Sequence, residues 1–159
     1  MDAGLFPAAL ERAAIGLPLS DGDALRVMSG VLFLARYSPV HTRYPLEVLR
    51  HRIEPSLWLG QFHYYTDAAG VPAAFCNWAW LNGSVLADLL ATGRDLEETE
   101  FQCGELPFFY ELLAPFGHCR KVVRALRGMP CFQGRRIPAI RAKASGYIPA
   151  VSRVAYFAF

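Results

Sequence analysis

Two short stretches hold the residue types that move protons at neutral pH. Ser38-Pro39-Val40-His41 puts an imidazole just past a proline that ends a helix, and Glu111-Leu112-Leu113-Ala114-Pro115-Phe116-Gly117 puts a carboxylate in an apolar run closed by a Pro/Gly turn. Histidine ordinarily titrates at about pH 6.5, so it can take up and return a proton under mild conditions. An acid set among Phe, Tyr and Leu is costly to bury and wants a partner. A histidine and a shielded acid from separate segments are the minimum kit for general acid–base work. Each residue also has a plainer reading: His41 as a cap or surface residue, Glu111 as the partner of a buried arginine, and Ser38 as the turn residue that closes a helix.

The elements that must position these groups follow from pattern and punctuation. A helix is predicted from about Gly22 to Tyr37: Ser20 or Asp21 can cap it, Leu25, Met28, Val31, Leu32 and Ala35 recur at helical spacing, and Pro39 stops it. Pro45 opens a second, short helix through about Arg52, which Pro55 ends. Aromatic-rich Gln61–Thr66, the turn Asp67-Ala68-Ala69-Gly70 and apolar Val71–Leu81 read as a hairpin. Residues 82–104 are more polar, with a short helix over Val85–Ala91 and an acid-rich loop. Pro107–Leu113 is apolar at nearly every position, as a central strand should be. A turn over Ala114–His118, a helix over Arg120–Arg127 and strands near Ile137–Ala144 and Val151–Phe159 complete the chain. Residues 1–21 form an arm or short helix. The expected class is α+β with a mixed, mostly antiparallel sheet flanked by helices, in a single domain over 1–159.

With 159 residues the chain can bury a substantial core without metals or disulfides. It is 53% hydrophobic and 13% aromatic, which excludes disorder. Its mean hydropathy of +0.21 points to a surface partly covered by a partner, a second copy or a long apolar ligand. The net charge of +2 hides an uneven distribution: residues 1–111 hold all 14 acids against seven arginines, while residues 112–159 hold nine Lys and Arg and no acid. Such a segment reads either as a docking surface for something anionic or as a basic layer packed on the acidic one. Cys76, Cys103, Cys119 and Cys131 have no C-x-x-C or zinc spacing, so free thiols in a reducing cytoplasm are expected, with no metal. No secretory leader or membrane span is legible, and no nucleic-acid partner is expected.

The run Tyr37-Ser38-Pro39-Val40-His41-Thr42-Arg43-Tyr44-Pro45 resembles the Ser-Pro-Leu-His-x-x-Trp-Pro signature of the toxin-activating lysine acyltransferases, which acylate RTX pro-toxins. Val71-Pro72-Ala73-Ala74-Phe75-Cys76-Asn77-Trp78-Ala79 is similar to that family's Pro-Val-Ala-Tyr-Cys-Ser-Trp-Ala. Phe109-Tyr110-Glu111-Leu112-Leu113-Ala114-Pro115-Phe116-Gly117 is similar to its Phe-Ile-Asp-Trp-Ile-Ala-Pro-Phe-Gly. Gln61, Gly104 and Ala139-Ile140-Arg141 also fall where the family has equivalents. The likeness runs in one order from about Leu25 to Arg141.

The resemblance implies a GNAT-like fold and transfer of a fatty acyl group from acyl-carrier protein to the ε-amine of a lysine in a polypeptide. No bound cofactor is implied, only the phosphopantetheine thioester as co-substrate. His41 and Glu111 carry over as catalytic residues, Glu111 standing where the family has Asp; Ser38 matches the motif serine and Arg141 an arginine near the cleft. The amine must lose a proton before it attacks, which His41 could accept with Glu111 holding its tautomer; an acyl relay through the imidazole stays open. Backbone N–H groups beside the turn at Gly117 are candidate oxyanion donors. Arg120, Lys121 and Arg124, with Arg127, would meet the acidic carrier. Trp78 and Trp80 pack in the core or line an acyl tunnel. A homodimer is a further expectation. The alternatives are an N-acyltransferase acting on a small amine or using acyl-CoA, against which the missing Arg/Gln-x-x-Gly-x-Gly/Ala loop counts, and a degenerate carrier- or peptide-binding adaptor.

Overall fold

The computed structural model describes residues 19–141 and 153–159. Most of the expected N-terminal arm, and positions 142–144 and 151–152 of the two expected C-terminal strands, lie outside them. Helix α1 spans Asp21–Tyr37; Ser20 Oγ accepts the Asp23 N–H at 3.2 Å, and Asp21 and Asp23 sit where the helix dipole favours acids. It ends at Ser38, just before Pro39, and a single 3-10 turn follows over His41–Arg43.

Helix α2 runs Leu46–Trp58, straight through Pro55, and so overturns the expectation that this proline ends it. An interior proline costs about 3 kcal/mol. Here Ile53, Pro55, Ser56 and Leu57 are all buried, and the Ser56 hydroxyl donates to the Ile53 carbonyl at 2.6 Å. Tertiary packing therefore offsets the local penalty.

The hairpin of β1 (Phe62–Thr66) and β2 (Pro72–Leu81) forms where expected. Its turn is built by Asp67, whose carboxylate accepts the N–H groups of Ala69 and Val71 at 2.9 Å, and by Gly70 at φ +81°. Helix α3 (Gly83–Thr92), strand β3 (Leu106–Leu113), helix α4 (Cys119–Arg127) and strands β4 (Arg136–Arg141) and β5 (Arg153–Ala158) follow. The sheet order is β1-β2-β3-β4-β5, with β3 central as its apolar sequence requires. All pairs are antiparallel except β3–β4, which is parallel and registered at one position, Phe109↔Ala139. This is the expected α+β class with a mixed, mostly antiparallel sheet.

Strand alternation sorts the two faces. On β2, Phe75 packs with α1 and α2, and Ala79 and Leu81 pack with α3; Ala74, Cys76 and Trp78 face α4 and the turn at Pro130–Phe132. On the first face α1 lies close to the sheet at Gly30, where any Cβ would run into the buried Tyr64 ring. On the second, Phe132 gathers Trp78 edge-on at 5.3 Å and Trp80 stacked at 5.9 Å.

Strand β3 breaks its own alternation. Asn77 pairs with Glu111 but Trp78 pairs with Phe109, so Tyr110 is an extra residue on β3: a β-bulge. Phe109 faces the α4 side, and Tyr110 faces the α3 side. After the bulge Glu111 faces the same way as Tyr110, toward α2, and Leu113 continues on that face with α1 and α2. An unbroken strand would have sent the Glu111 carboxylate to the opposite, aromatic face.

Candidate active site

The bulge aims Glu111 at the turn after α1. Its Oε2 lies 2.8 Å from His41 Nε2, and the His41 Nδ1 lies 2.6 Å from Ser38 Oγ. All three side chains are buried, His41 at 8% exposure and Glu111 at 7%. Ser38 both closes α1 and serves the site: its N–H donates to the Ala35 carbonyl, and its Oγ also accepts the His41 N–H at 3.3 Å. The backbone geometry that makes Ser38 a turn residue also brings its hydroxyl to the imidazole.

Charge decides the tautomer. An ionised carboxylate only accepts, so His41 Nε2 carries the hydrogen that points at Glu111. In the neutral ring Nδ1 then holds the lone pair, and the Ser38 hydroxyl donates to it. The nitrogen able to take a new proton is thus the one facing Ser38.

Sequence reasoning anticipated a buried arginine beside Glu111 without identifying it. It is Arg52 of α2, 15% exposed, with one terminal guanidinium nitrogen 2.6 Å from Glu111 Oε1 in an ion pair and the other flank of the group, Nε, 3.2 Å from Asp95. The same terminal nitrogen donates to the Tyr44 hydroxyl at 2.9 Å, and the guanidinium lies over the Tyr110 ring at 4.5 Å. Tyr44 in turn leans on the His41 ring, centroids 5.2 Å apart. A signal existed: Leu49, Arg52, Ile53 and Ser56 fall at i, i+3, i+4, i+7, so Arg52 interrupts the inward stripe of α2.

Asn77 was also missed. Fully buried beside Glu111 in the register, it accepts the Glu111 N–H at 2.8 Å and donates to the Arg52 carbonyl and to Ser56 Oγ, each at 2.9 Å. One side-chain amide thereby ties the bulged strand to the helix that supplies its counter-ion.

The electrostatics follow from these contacts. Burial pushes the Glu111 carboxyl upward, but the Arg52 charge, and then the His41 hydrogen bond and charge, outweigh it and hold it below the ordinary 4.5. Burial also opposes the Arg52 charge, but Glu111 and Asp95, joined by Tyr110 and Tyr44 once these ionise at high pH, more than compensate, so the guanidinium stays above its usual range. Tyr44 is pushed up to about 12 by burial and by Glu111, against Arg52; burial also takes Tyr110 up to about 12. Both phenols therefore keep their protons at neutral pH.

The remaining expected site residues stand elsewhere. Arg120 and Arg124 are exposed and Lys121 is half-buried on α4, whose Val122 and Leu126 pack on the sheet face away from His41. Arg141 is exposed at the end of β4, across from Arg153. Gly117, at φ +85°, donates its N–H to the Ala114 carbonyl at 3.3 Å, so this N–H is engaged in its own turn. Trp78 and Trp80 lie with Phe132 on the aromatic face, as the core reading has it. Burial pushes the Cys76 thiol up to about 12, as for inert packing. His51 Nε2 meets the Leu96 carbonyl at 2.7 Å, and His63 Nδ1 meets the Tyr65 hydroxyl at 2.9 Å. Among the described residues no cluster of His, Cys, Asp or Glu could hold a metal ion, and no helix is long and apolar enough to cross a membrane.

A buried hydroxyl–imidazole–carboxylate line, backed by an arginine and carried on an α+β sheet, has the residue types and spacing with which group-transfer enzymes move protons. Residues 21–155 match the RTX toxin acyltransferase family, and the chain belongs to it. It is 37% identical over 121 residues to lysine-acyltransferase RtxC of Vibrio cholerae serotype O1, covering 74% of this chain and 78% of that one. It is also similar to the leukotoxin-activating lysine-acyltransferase LktC serotype A11 of Mannheimia haemolytica (28% over 116 residues; 65% and 69% covered). The RTX-I toxin-activating lysine-acyltransferase ApxIC of Actinobacillus pleuropneumoniae shares 28% over 105 residues, 66% of this chain and 60% of its own. The protein is thus an acyltransferase.

Proposed function

We propose that this acyltransferase moves a fatty acyl group from acyl-carrier protein to the ε-amine of a lysine in a polypeptide, inside the cytoplasm, with His41 as general base. The observation that carries the reading is the Ser38–His41–Glu111 line, 2.6 and 2.8 Å in its two links, in a chain of this family. An ammonium cannot attack a thioester until it gives up a proton. His41 Nδ1 takes that proton, directly or through the Ser38 hydroxyl, while Glu111 stabilises the imidazolium that results. The amine nitrogen bonds to the carbonyl carbon and the carbon–sulfur bond breaks. The leaving thiolate receives the proton back from His41, the imidazole then takes the second proton from the nitrogen and passes it to water, and an amide, a free pantetheine thiol and one released proton remain.

The single registered position between parallel β3 and β4 supports a GNAT-like splay beside the site. The acid-free stretch from residue 112 onward, with Arg120, Lys121 and Arg124 on α4, supports docking of an acidic carrier. The 2.6 Å contact also favours a second reading, in which Ser38 Oγ first accepts the acyl group with His41 as its base.

The test is His41→Ala, assayed by mass spectrometry of a lysine-bearing polypeptide incubated with acyl-loaded carrier protein. Transfer should disappear while circular dichroism stays unchanged; undiminished transfer would overturn the assignment. Intact mass of the enzyme after exposure to donor alone separates the two routes, since only the serine route leaves an acyl adduct that Ser38→Ala abolishes.

A further inference from the structure

One guanidinium serves two carboxylates at this site. Arg52 meets Glu111 Oε1 at 2.6 Å on one side and Asp95 Oδ1 at 3.2 Å on the other. Its single positive charge is thus divided between two carboxylates, and Glu111 draws on only part of it. Asp95 is linked to His41 through the shared arginine and Glu111.

The loop around Asp95 is fixed for this purpose. Tyr110, the bulged residue, donates its hydroxyl to Asp95 Oδ1 at 3.3 Å and accepts the Leu96 N–H at 3.0 Å. His51 of α2 meets the Leu96 carbonyl, and an Arg94 terminal nitrogen donates to the Asp95 carbonyl at 2.8 Å. The Arg94 charge itself is taken up by Asp88 and Glu100. Among the described residues, the titratable and charged groups around His41 are thus Arg43 of its own turn, Glu111 and Tyr110 from β3, Arg52 and His51 from α2, Tyr44 beside the ring, and Asp95 with its neighbour Arg94 from the loop before β3. Both phenols are uncharged at neutral pH, which leaves Arg52 as the positive charge closest to Glu111.

We infer that Asp95 is a positioning residue for proton uptake at His41: by sharing the Arg52 guanidinium it leaves Glu111 only partly neutralised, and so favours the imidazolium that the transfer step must form. The inference rests on His41 being the base. It differs from a structural role for Asp95 because it concerns charge and not shape.

The experiment follows the His41 imidazole by NMR titration in the full chain, assigned by difference from His41→Gln and separately from His51. Asp95→Asn should move the His41 midpoint down by roughly half to one pH unit, the scale of one charge acting over several ångströms in a partly screened site. The acid limb of kcat/KM should move by the same amount. Asp95→Glu, which restores the charge, should restore both. An unchanged midpoint in Asp95→Asn, or equal shifts in both variants, would overturn the inference. The base assignment fails separately, through retained activity in His41→Ala. Should Asp95→Asn not fold, Tyr110→Phe releases the loop while keeping all charges; a smaller downward shift is expected, and none would count against the coupling.

Discussion

Replacing Arg52 by methionine, Arg52→Met, removes the counter-ion of Glu111 and keeps most of the apolar stem that fills the space under Tyr110. Glu111 is 7% exposed, so it cannot recover the lost partner from water. Breaking a buried pair from one side costs about 3–5 kcal/mol; because Arg52 is 15% and Asp95 26% exposed, the lower end, about 3 kcal/mol, applies. For a chain of this size that is roughly 6–12 °C in Tm. The pH dependence is the sharper test. In the parent, Glu111 titrates below its unfolded value of 4.5, so its contribution is complete above that value and is lost as pH falls through the folded one. In Arg52→Met the Arg52 charge is gone while burial remains, and burial is expected to outweigh the His41 contact and lift the carboxyl above its ordinary value. The folded state then binds the proton more tightly, and this contribution is present at low pH and lost as pH rises through the elevated value. The destabilisation should accordingly be largest near pH 7–8 and shrink toward pH 5. Urea midpoints of parent and variant at several pH values measure it, groups remote from Arg52 cancelling in the difference. A destabilisation that stayed constant over this range would refute the reasoning.

Two further outcomes follow from the same geometry. Glu111→Gln keeps the shape but offers His41 Nε2 an amide that fits either tautomer, so kcat should fall by about 10²–10⁴-fold with KM little changed, read in the acyl-transfer assay. Reversing charge on α4 with Arg120→Glu, Lys121→Glu and Arg124→Glu should lower kcat/KM for carrier-borne donor by about 10-fold or more at low salt. That difference should fade as added salt screens the exposed charges; an equal deficit at all salt concentrations would remove α4 from the docking surface.

Much of this arrangement was legible in the residues. Ser20 and Pro39 bracket α1, Asp67 and Gly70 mark the hairpin turn, and unbroken apolarity marks β3 as central. His41 and Glu111 stood out because proton chemistry needs those types and because an acid in an apolar strand demands an explanation. What escaped was set by tertiary contacts. Pro55 carries a local stop signal that only the burial around it overrides. Arg52 reads as one more cation beside Arg50 until α2 is wound and its stripe turned inward. Asn77 has no signature at all, since its value lies in three partners from two other segments. The bulge at Tyr110 follows from no periodicity either; strict alternation from Phe109 assigns Glu111 to the wrong side of the sheet.

That extra residue makes counting as important as chemistry in the middle strand. Straightening the ladder with Tyr110 kept in it would leave every functional group in the protein, yet swing the acid across the sheet into the company of Trp78 and Phe132. Losing Tyr110 instead would restore a regular ladder with the acid on its present face, but would remove the phenol that holds Asp95 and lies under Arg52. Retention of the bulge and of the phenol at its centre, more than of the letters around them, is the trace such a site should leave among its descendants.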